Sequence, residues 1–98
     1  HVEGENRALE RFQKFFPPKF LGGPDSDVVE RWLEKMIDIF IVLHYTEERQ
    51  VAFAVFQLKE VAHSWWNVIR MKWDREQTLR IWVKFMREFN AKYFPPLI

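Results

Sequence analysis

The stretch DVVERWLEKMIDIFIVL, residues 27–43, is the clearest helical pattern in the chain. Its apolar residues recur every three or four positions, as they do along one side of an α-helix. These residues are Val29, Trp32, Leu33, Met36, Ile37, Phe40 and Leu43. Charged residues hold the other side, so the pattern predicts an amphipathic helix that buries one face.

The ends of this helix are marked by residues that cap helices. Asp25, Ser26 or Asp27 can cap its first turn. A break is predicted at residues 44–45, after which Thr46 is a good N-cap for a second helix.

The second helix is predicted over residues 47–59, with Val51, Ala54, Val55 and Leu58 on its buried side. Phe53 and Phe56 fall away from that side. We therefore expect these two rings to contact a second surface.

Three of the chain's five tryptophans lie in VAHSWWNVIRMKW, residues 61–73, which predicts a third helix over residues 61–72. Trp65 and Trp66 are adjacent and so lie about 100° apart on the helix, facing two different neighbours. We expect Trp65 to pack near Trp32 and Trp66 near Trp82, as core residues rather than as a ligand cage or a platform for nucleic-acid bases.

A last helix is predicted over residues 78–93, ending at the paired Pro95 and Pro96 because proline cannot continue an α-helix. Before the first helix, the stretch FQKFFPPKFLGGP, residues 12–24, contains paired prolines and a Gly-Gly-Pro sequence that interrupt helices. We predict an extended arm here, with several phenylalanine rings inserted into the domain, and a flexible flank over residues 1–11 that is frayed or weakly helical.

The sum of these elements is a single all-α domain, residues 12–98, in which four to five helices form a small bundle behind the arm.

The chain has 98 residues and no cysteine, which fits a reducing compartment, so we expect a cytoplasmic or nuclear protein. No apolar run approaches the roughly 20 residues of a membrane span. The start lacks a methionine, which we interpret as a piece of a longer polypeptide.

The charge is divided unevenly between the two halves of the chain. Residues 1–50 hold 7 Lys and Arg against 10 Asp and Glu, whereas residues 51–98 hold 8 against 4. Such a division suits weak head-to-tail association between copies. The basic second half also raises RNA binding as a hypothesis, although its aromatic residues follow the buried stripe, where they could not stack on bases.

The sequence contains no set of residues with the types and spacing that catalysis, metal binding or cofactor binding would need. The histidines at positions 1, 44 and 63 have no metal-ligand spacing, and His63 and Ser64 diverge on a helix rather than forming a nucleophile and base. The glycines at 22 and 23 match no phosphate-binding loop. We therefore predict no enzyme activity, no metal and no cofactor.

Three segments, FFPPKFLGGPDSDVVERWLEKMIDIF, LKEVAHSWW and IWVKFMREFNAKYFPP, together resemble the Gag capsid region of gypsy-type LTR retrotransposons. The resemblance covers about residues 12–96. Two positions depart from the pattern of that family. Glu60 stands where glycine is usual, which we expect to make the second and third helices more continuous, and Ile81 stands where threonine is usual, which moves the expected cap to Thr78.

The resemblance implies a fold like the N-terminal domain of retroviral capsids, related also to the Gag-derived neuronal Arc fold. It implies a structural protein that self-associates into a shell around the RNA of the element, with RNA bound through other parts of the parent. The expected core residues are Trp32, Leu33, Met36, Phe40, Leu58, Trp65, Trp66, Trp82 and Phe89. The candidate self-association surface comprises Arg31, Glu34, Lys35, Phe53 and Phe56.

A protein-interaction module is the alternative function, in which a short hydrophobic peptide binds between the arm and the helices. An extended peptide could add backbone hydrogen bonds to the arm while aromatic rings supply pockets. The candidate groove residues are Phe16, Phe20, Leu21 and Tyr45.

Overall fold

Five α-helices make up the computed structural model, which describes residues 4–94 of the chain. They are α1 (Glu5–Gln13), α2 (Ser26–Leu43), α3 (Glu47–Phe56), α4 (Glu60–Glu76) and α5 (Trp82–Tyr93). No strand forms in this part of the chain, which confirms the predicted all-α fold. Pro95 and Pro96, the predicted stop of the last helix, lie outside the described residues.

The long helix α2 begins and ends where its sequence predicts. The Asp25 side chain caps it by accepting a hydrogen bond of 3.0 Å from the backbone N–H of Asp27. At the other end His44 takes a left-handed conformation, and its N–H bonds to the carbonyl of Phe40. Thr46 then caps α3, as predicted, by accepting from the N–H of Arg49 at 3.2 Å.

The junction between α3 and α4 differs from the prediction. Helix α3 stops at Phe56 rather than at residue 59, and the chain turns before Glu60, which has a φ of 55°. Glycine is the residue best suited to that left-handed conformation, so the expected continuity of the two helices was wrong. Helix α4 also continues to Glu76, beyond the predicted end of that helix at residue 72.

Helix α5 begins at Trp82 rather than at Thr78, and its N-cap position is Ile81, which offers no capping side chain. A carboxylate from another helix takes over that role. Glu47 in the first turn of α3 accepts a hydrogen bond of 3.3 Å from the backbone N–H of Val83. The expected cap at Thr78 was therefore wrong, because tertiary contact supplies the acceptor.

The predicted flexible flank differs from the structure over residues 5–11, which belong to α1. Ala8 and Phe12 lie four positions apart on this helix, and both are fully buried. Glu5 also pairs with Arg49 of α3 at 2.9 Å. Burial of one side of α1 thus holds a polar segment in place, and the extended arm begins only after Gln13.

The arm pairs with the turn between α3 and α4 rather than lying loosely on the surface. Phe20 forms a parallel bridge with Leu58, through Phe20 N–H to Gln57 C=O and Lys59 N–H to Phe20 C=O, both 2.9 Å. The buried Gln57 amide donates to the carbonyl of Pro17 at 2.8 Å, and the indole N–H of Trp32 donates to that of Pro18 at 2.8 Å. The carbonyls of the proline pair are therefore satisfied by the helices.

Candidate interaction surfaces

The paired tryptophans of α4 pack on aromatic residues and on α5. Trp66 is buried, with its ring 5.5 Å from that of Trp73 and 6.0 Å from that of Phe85. Trp65 is partly buried against Phe89 and Tyr93, at 5.9 and 5.8 Å. The rings of Trp65 and Trp66 thus both pack against α5.

Trp66 packs on the last helix, as expected, but through Phe85 rather than Trp82, whereas the ring contacts of Trp65 are with α5 rather than with Trp32. Trp32 contacts Phe20 and Phe89, at ring distances of 5.4 Å each, while Trp82 contacts Phe40 at 5.4 Å and Phe85 at 5.3 Å. Side chains 100° apart can straddle one neighbouring helix as well as face two, so local spacing did not decide between these arrangements.

Most of the expected core residues are buried in one aromatic cluster. The buried ones are Trp32, Leu33, Met36, Phe40, Leu58, Trp66 and Phe89. Trp65 and Trp82 are partly buried at the edge of that cluster. Desolvation by burial also raises the pKa of Tyr93 above 10.0, so its phenol is uncharged at neutral pH.

The structure leaves four of the five residues of the expected self-association surface exposed and buries the fifth. Arg31, Glu34 and Lys35 are exposed on α2, and Phe56 is 48% exposed, with the Lys59 ammonium 5.2 Å from its ring centre.

Phe53 does not belong to this surface, contrary to its expected role, because only 6% of it is exposed. Its ring lies 5.3 Å from Phe12 and 5.6 Å from Tyr45, so the unpredicted helix α1 helps to cover it.

The four residues of the expected peptide groove also differ in exposure. Phe16 is 86% exposed and Leu21 is exposed, but Phe20 and Tyr45 are buried. Tyr45 lies in the core and donates its hydroxyl to the carbonyl of Ala8 at 2.8 Å. Tyr45 was therefore wrong as a groove residue, since it holds α1 in place, and the buried Phe20 offers little surface to a peptide.

A cavity does lie beside the arm, at the start of α2. Its volume is about 270 Å³, and its lining comprises residues 19–25 and Val28. Residues of the arm form most of the wall, and Leu21 and Val28 are its exposed apolar residues. This cavity is where an extended peptide could reach the arm.

A second groove, between α1 and the end of α2, has a volume of about 520 Å³. It is lined by Arg7, Arg11, Lys14, Phe15, Val42 and Leu43. Sequence reasoning missed it because α1 was taken for a flexible flank. The spacing of its three cations, at intervals of four and three residues, was the signal that could have found it.

The basic residues of the second half are partly neutralised. Lys72 pairs with Glu88 at 3.1 Å, and Arg80 pairs with Asp74 at 2.8 Å while its guanidinium lies 5.9 Å from the ring of Trp66. These pairs break up the continuous basic surface that nucleic-acid binding would favour.

Residues of types that can act in catalysis or metal binding have structural or surface positions on the helices. His63 is exposed, with its Nδ1 3.5 Å from the Asn67 amide, and Asp25 is a helix cap. Among residues 4–94 no three His, Cys, Asp or Glu side chains cluster as metal ligands. In the same range, none of the helices has the length and hydropathy needed to cross a membrane.

Comparison with known proteins gives one family. The family model described as "Retrotransposon-derived protein PEG10, N-terminal capsid-like domain" matches residues 14–94. That range takes in the arm and the helices α2 to α5. Searches of curated proteins and of solved structures find no significant match.

Proposed function

Because this chain belongs to the family of the retrotransposon-derived PEG10 N-terminal capsid-like domain, we propose that it acts by self-association, as a repeating unit of a Gag-type shell. Capsid-like Gag domains have structural rather than catalytic roles. The observation that carries the proposal is the match over residues 14–94, which includes nearly all of the folded core. RNA of the element would be enclosed by the shell and bound by other parts of the parent protein.

The exposed side of α2 supports this proposal. Arg31, Glu34 and Lys35 present both signs of charge on a rigid helix of 18 residues. Such mixed charges give register and specificity to a contact more than they give affinity. Weak and specific contact is what a unit repeated many times in a shell requires.

Sedimentation velocity tests the proposal directly. Over roughly a hundredfold range of concentration, a self-associating chain should grow in size reversibly, following mass action. The double variant Arg31→Glu/Lys35→Glu should change that growth measurably, because it alters the charge pattern of the exposed side of α2. Arg87→Glu/Lys92→Glu is the matched control, since both residues are exposed on α5 and the change in net charge is the same.

Strictly monomeric behaviour of the wild-type chain, in the absence of the rest of its parent, would contradict self-association through this domain. Equal growth in both double variants would leave self-association standing and remove Arg31 and Lys35 from the contact.

Peptide capture is the second candidate function, and the cavity beside the arm favours it. The bridge to Leu58 uses both backbone groups of Phe20. In an extended segment the backbone groups of the neighbouring Lys19 point the other way, toward solvent. A bound peptide could therefore add to the arm there and place an apolar side chain between Leu21 and Val28.

The variant Val28→Asp tests peptide capture without touching the core, because Val28 is 44% exposed. Labelled peptides that alternate aromatic residues and proline are suitable probes. They should bind the wild-type chain and lose affinity for Val28→Asp, as measured by fluorescence anisotropy, whereas Val83→Asp, changed at an exposed position on α5, should bind like wild type.

A further inference from the structure

The groove between α1 and the end of α2 combines positive charge with uncovered apolar surface. Arg7 and Arg11 on α1 and Lys14 at its C-cap line this groove and are exposed. Their spacing places them as neighbours on the helix surface. Arg7 and Lys14 therefore present positive charge to any molecule that approaches the groove.

The apolar part of this groove comes from the last turns of α2. Val42, which lines the groove, is 57% exposed, and its neighbour Ile41 is 63% exposed. Two adjacent aliphatic residues this accessible would gain from being covered by a partner. Positive charge beside them requires that the partner carry negative charge at a matching position.

The start of α2 carries a row of carboxylates with the same helical spacing. Asp27, Glu30 and Glu34 are exposed on one side of the helix. Within residues 4–94 none of the three forms a salt bridge, although Arg31 lies beside them. A second copy of the chain thus offers the acidic partner that the groove requires.

Taking the proposed self-association as its basis, we infer that the acidic row of α2 in one copy docks in the α1–α2 groove of the next copy. Glu30 and Val42 are separated by about 18 Å along the axis of α2, so the two surfaces are distinct. Contact between two different surfaces is heterologous and leaves one of each unoccupied at the ends of an assembly. It therefore extends to a closed ring or an open chain rather than stopping at a dimer.

Reciprocal charge reversal tests this inference. The variants Arg7→Glu/Lys14→Glu and Glu30→Lys/Glu34→Lys should each weaken self-association by about tenfold or more, because attraction at the contact becomes repulsion. An equimolar mixture of the two should recover association, since one variant then has two acidic surfaces and the other has two basic ones. Sedimentation velocity and native mass spectrometry measure the association and the composition of the complexes.

The variant Arg87→Glu/Lys92→Glu has the same net charge as Arg7→Glu/Lys14→Glu and should associate like wild type. A mixture that remains monomeric would overturn the docking arrangement. Wild-type self-association that neither reversal weakens would also overturn it, while leaving the proposed shell function in place. A wild-type chain that stays monomeric would overturn both the docking arrangement and the proposed function, since the wild-type chain carries both surfaces.

Discussion

Backbone conformations with positive φ mark the joints between the elements. Apart from Gly22, at 82°, the residues that hold a φ of 52° to 55° are Phe16, His44, Glu60 and Gln77. For a residue with a side chain this conformation costs about 1–2 kcal/mol. His44 and Gln77 offset part of that cost by closing the ends of α2 and α4 with backbone hydrogen bonds.

Gly22→Ala should lower the free energy of unfolding by about 2 kcal/mol, because φ is positive and the space is filled. A Cβ there would lie 3.0 Å from the backbone nitrogen of Ala62 and 3.1 Å from the Tyr93 hydroxyl. Gly23→Ala is the control, since nothing lies within 4 Å of its Cβ position. Urea unfolding measures both, and equal losses would contradict the role assigned to Gly22.

Glu60→Gly should raise the free energy of unfolding by about 0.5–1 kcal/mol, since relief of the left-handed strain exceeds the entropic cost of glycine. Glu48→Gly removes a similar carboxylate from the first turn of α3, where φ is negative, and should be destabilising by about 1 kcal/mol. Thermal melts of the two variants should therefore shift in opposite directions. A shift of both toward lower temperature would show that Glu60 is not strained.

At the scale of the elements, helix ends depend on residues from other helices. The first turn of α5 lacks a capping side chain of its own and is served by Glu47 of α3. The turn after α3 in the same way supplies hydrogen-bond partners for the arm. Neighbouring elements thus complete hydrogen bonds that each would leave unsatisfied alone.

Glu47→Ala should destabilise the chain by about 1 kcal/mol more than Glu48→Ala. Both variants lose a carboxylate from the first turn of α3, but only Glu47 also accepts from Val83 in α5. Chemical denaturation gives the difference, and hydrogen exchange should show faster exchange at the Val83 amide in Glu47→Ala alone. Identical stabilities with unchanged exchange would argue against the cap.

At the scale of the whole molecule, the arm connects α1 to α2 and packs into the core. Phe12 and Phe20 flank its proline pair and are both buried. Phe20 contacts α2 through Trp32 and α5 through Phe89. The arm is therefore a structural part of the core, and only its outer side remains available to partners.

Gln57→Met should cost about 1–3 kcal/mol, because a side chain of similar length replaces the buried amide that donates to the carbonyl of Pro17. The amide protons of Phe20 and Lys59, which hold the bridge, should exchange faster. Gln13→Met, at an exposed position, should change neither stability nor exchange. Loss of stability with protected bridge amides would show that Gln57 does not hold the arm.

The sequence by itself determined the helical fold, the family and the position of α2 almost to the residue. Helical periodicity and capping depend on residues three or four positions apart, so they can be read locally. The order of the motifs across residues 12–96 likewise pointed to a capsid-like domain before any contact was known, and the match over residues 14–94 confirms it.

Only the tertiary structure decided which aromatic residues remain at the surface. Phe53 and Tyr45 are covered by α1, and Phe20 of the arm is covered by α2 and α5, all of them segments distant in sequence. The choice of α5 as the partner of both Trp65 and Trp66 has the same origin. Periodicity gives the direction of a side chain on its own helix, whereas its exposure depends on what packs there from elsewhere in the chain.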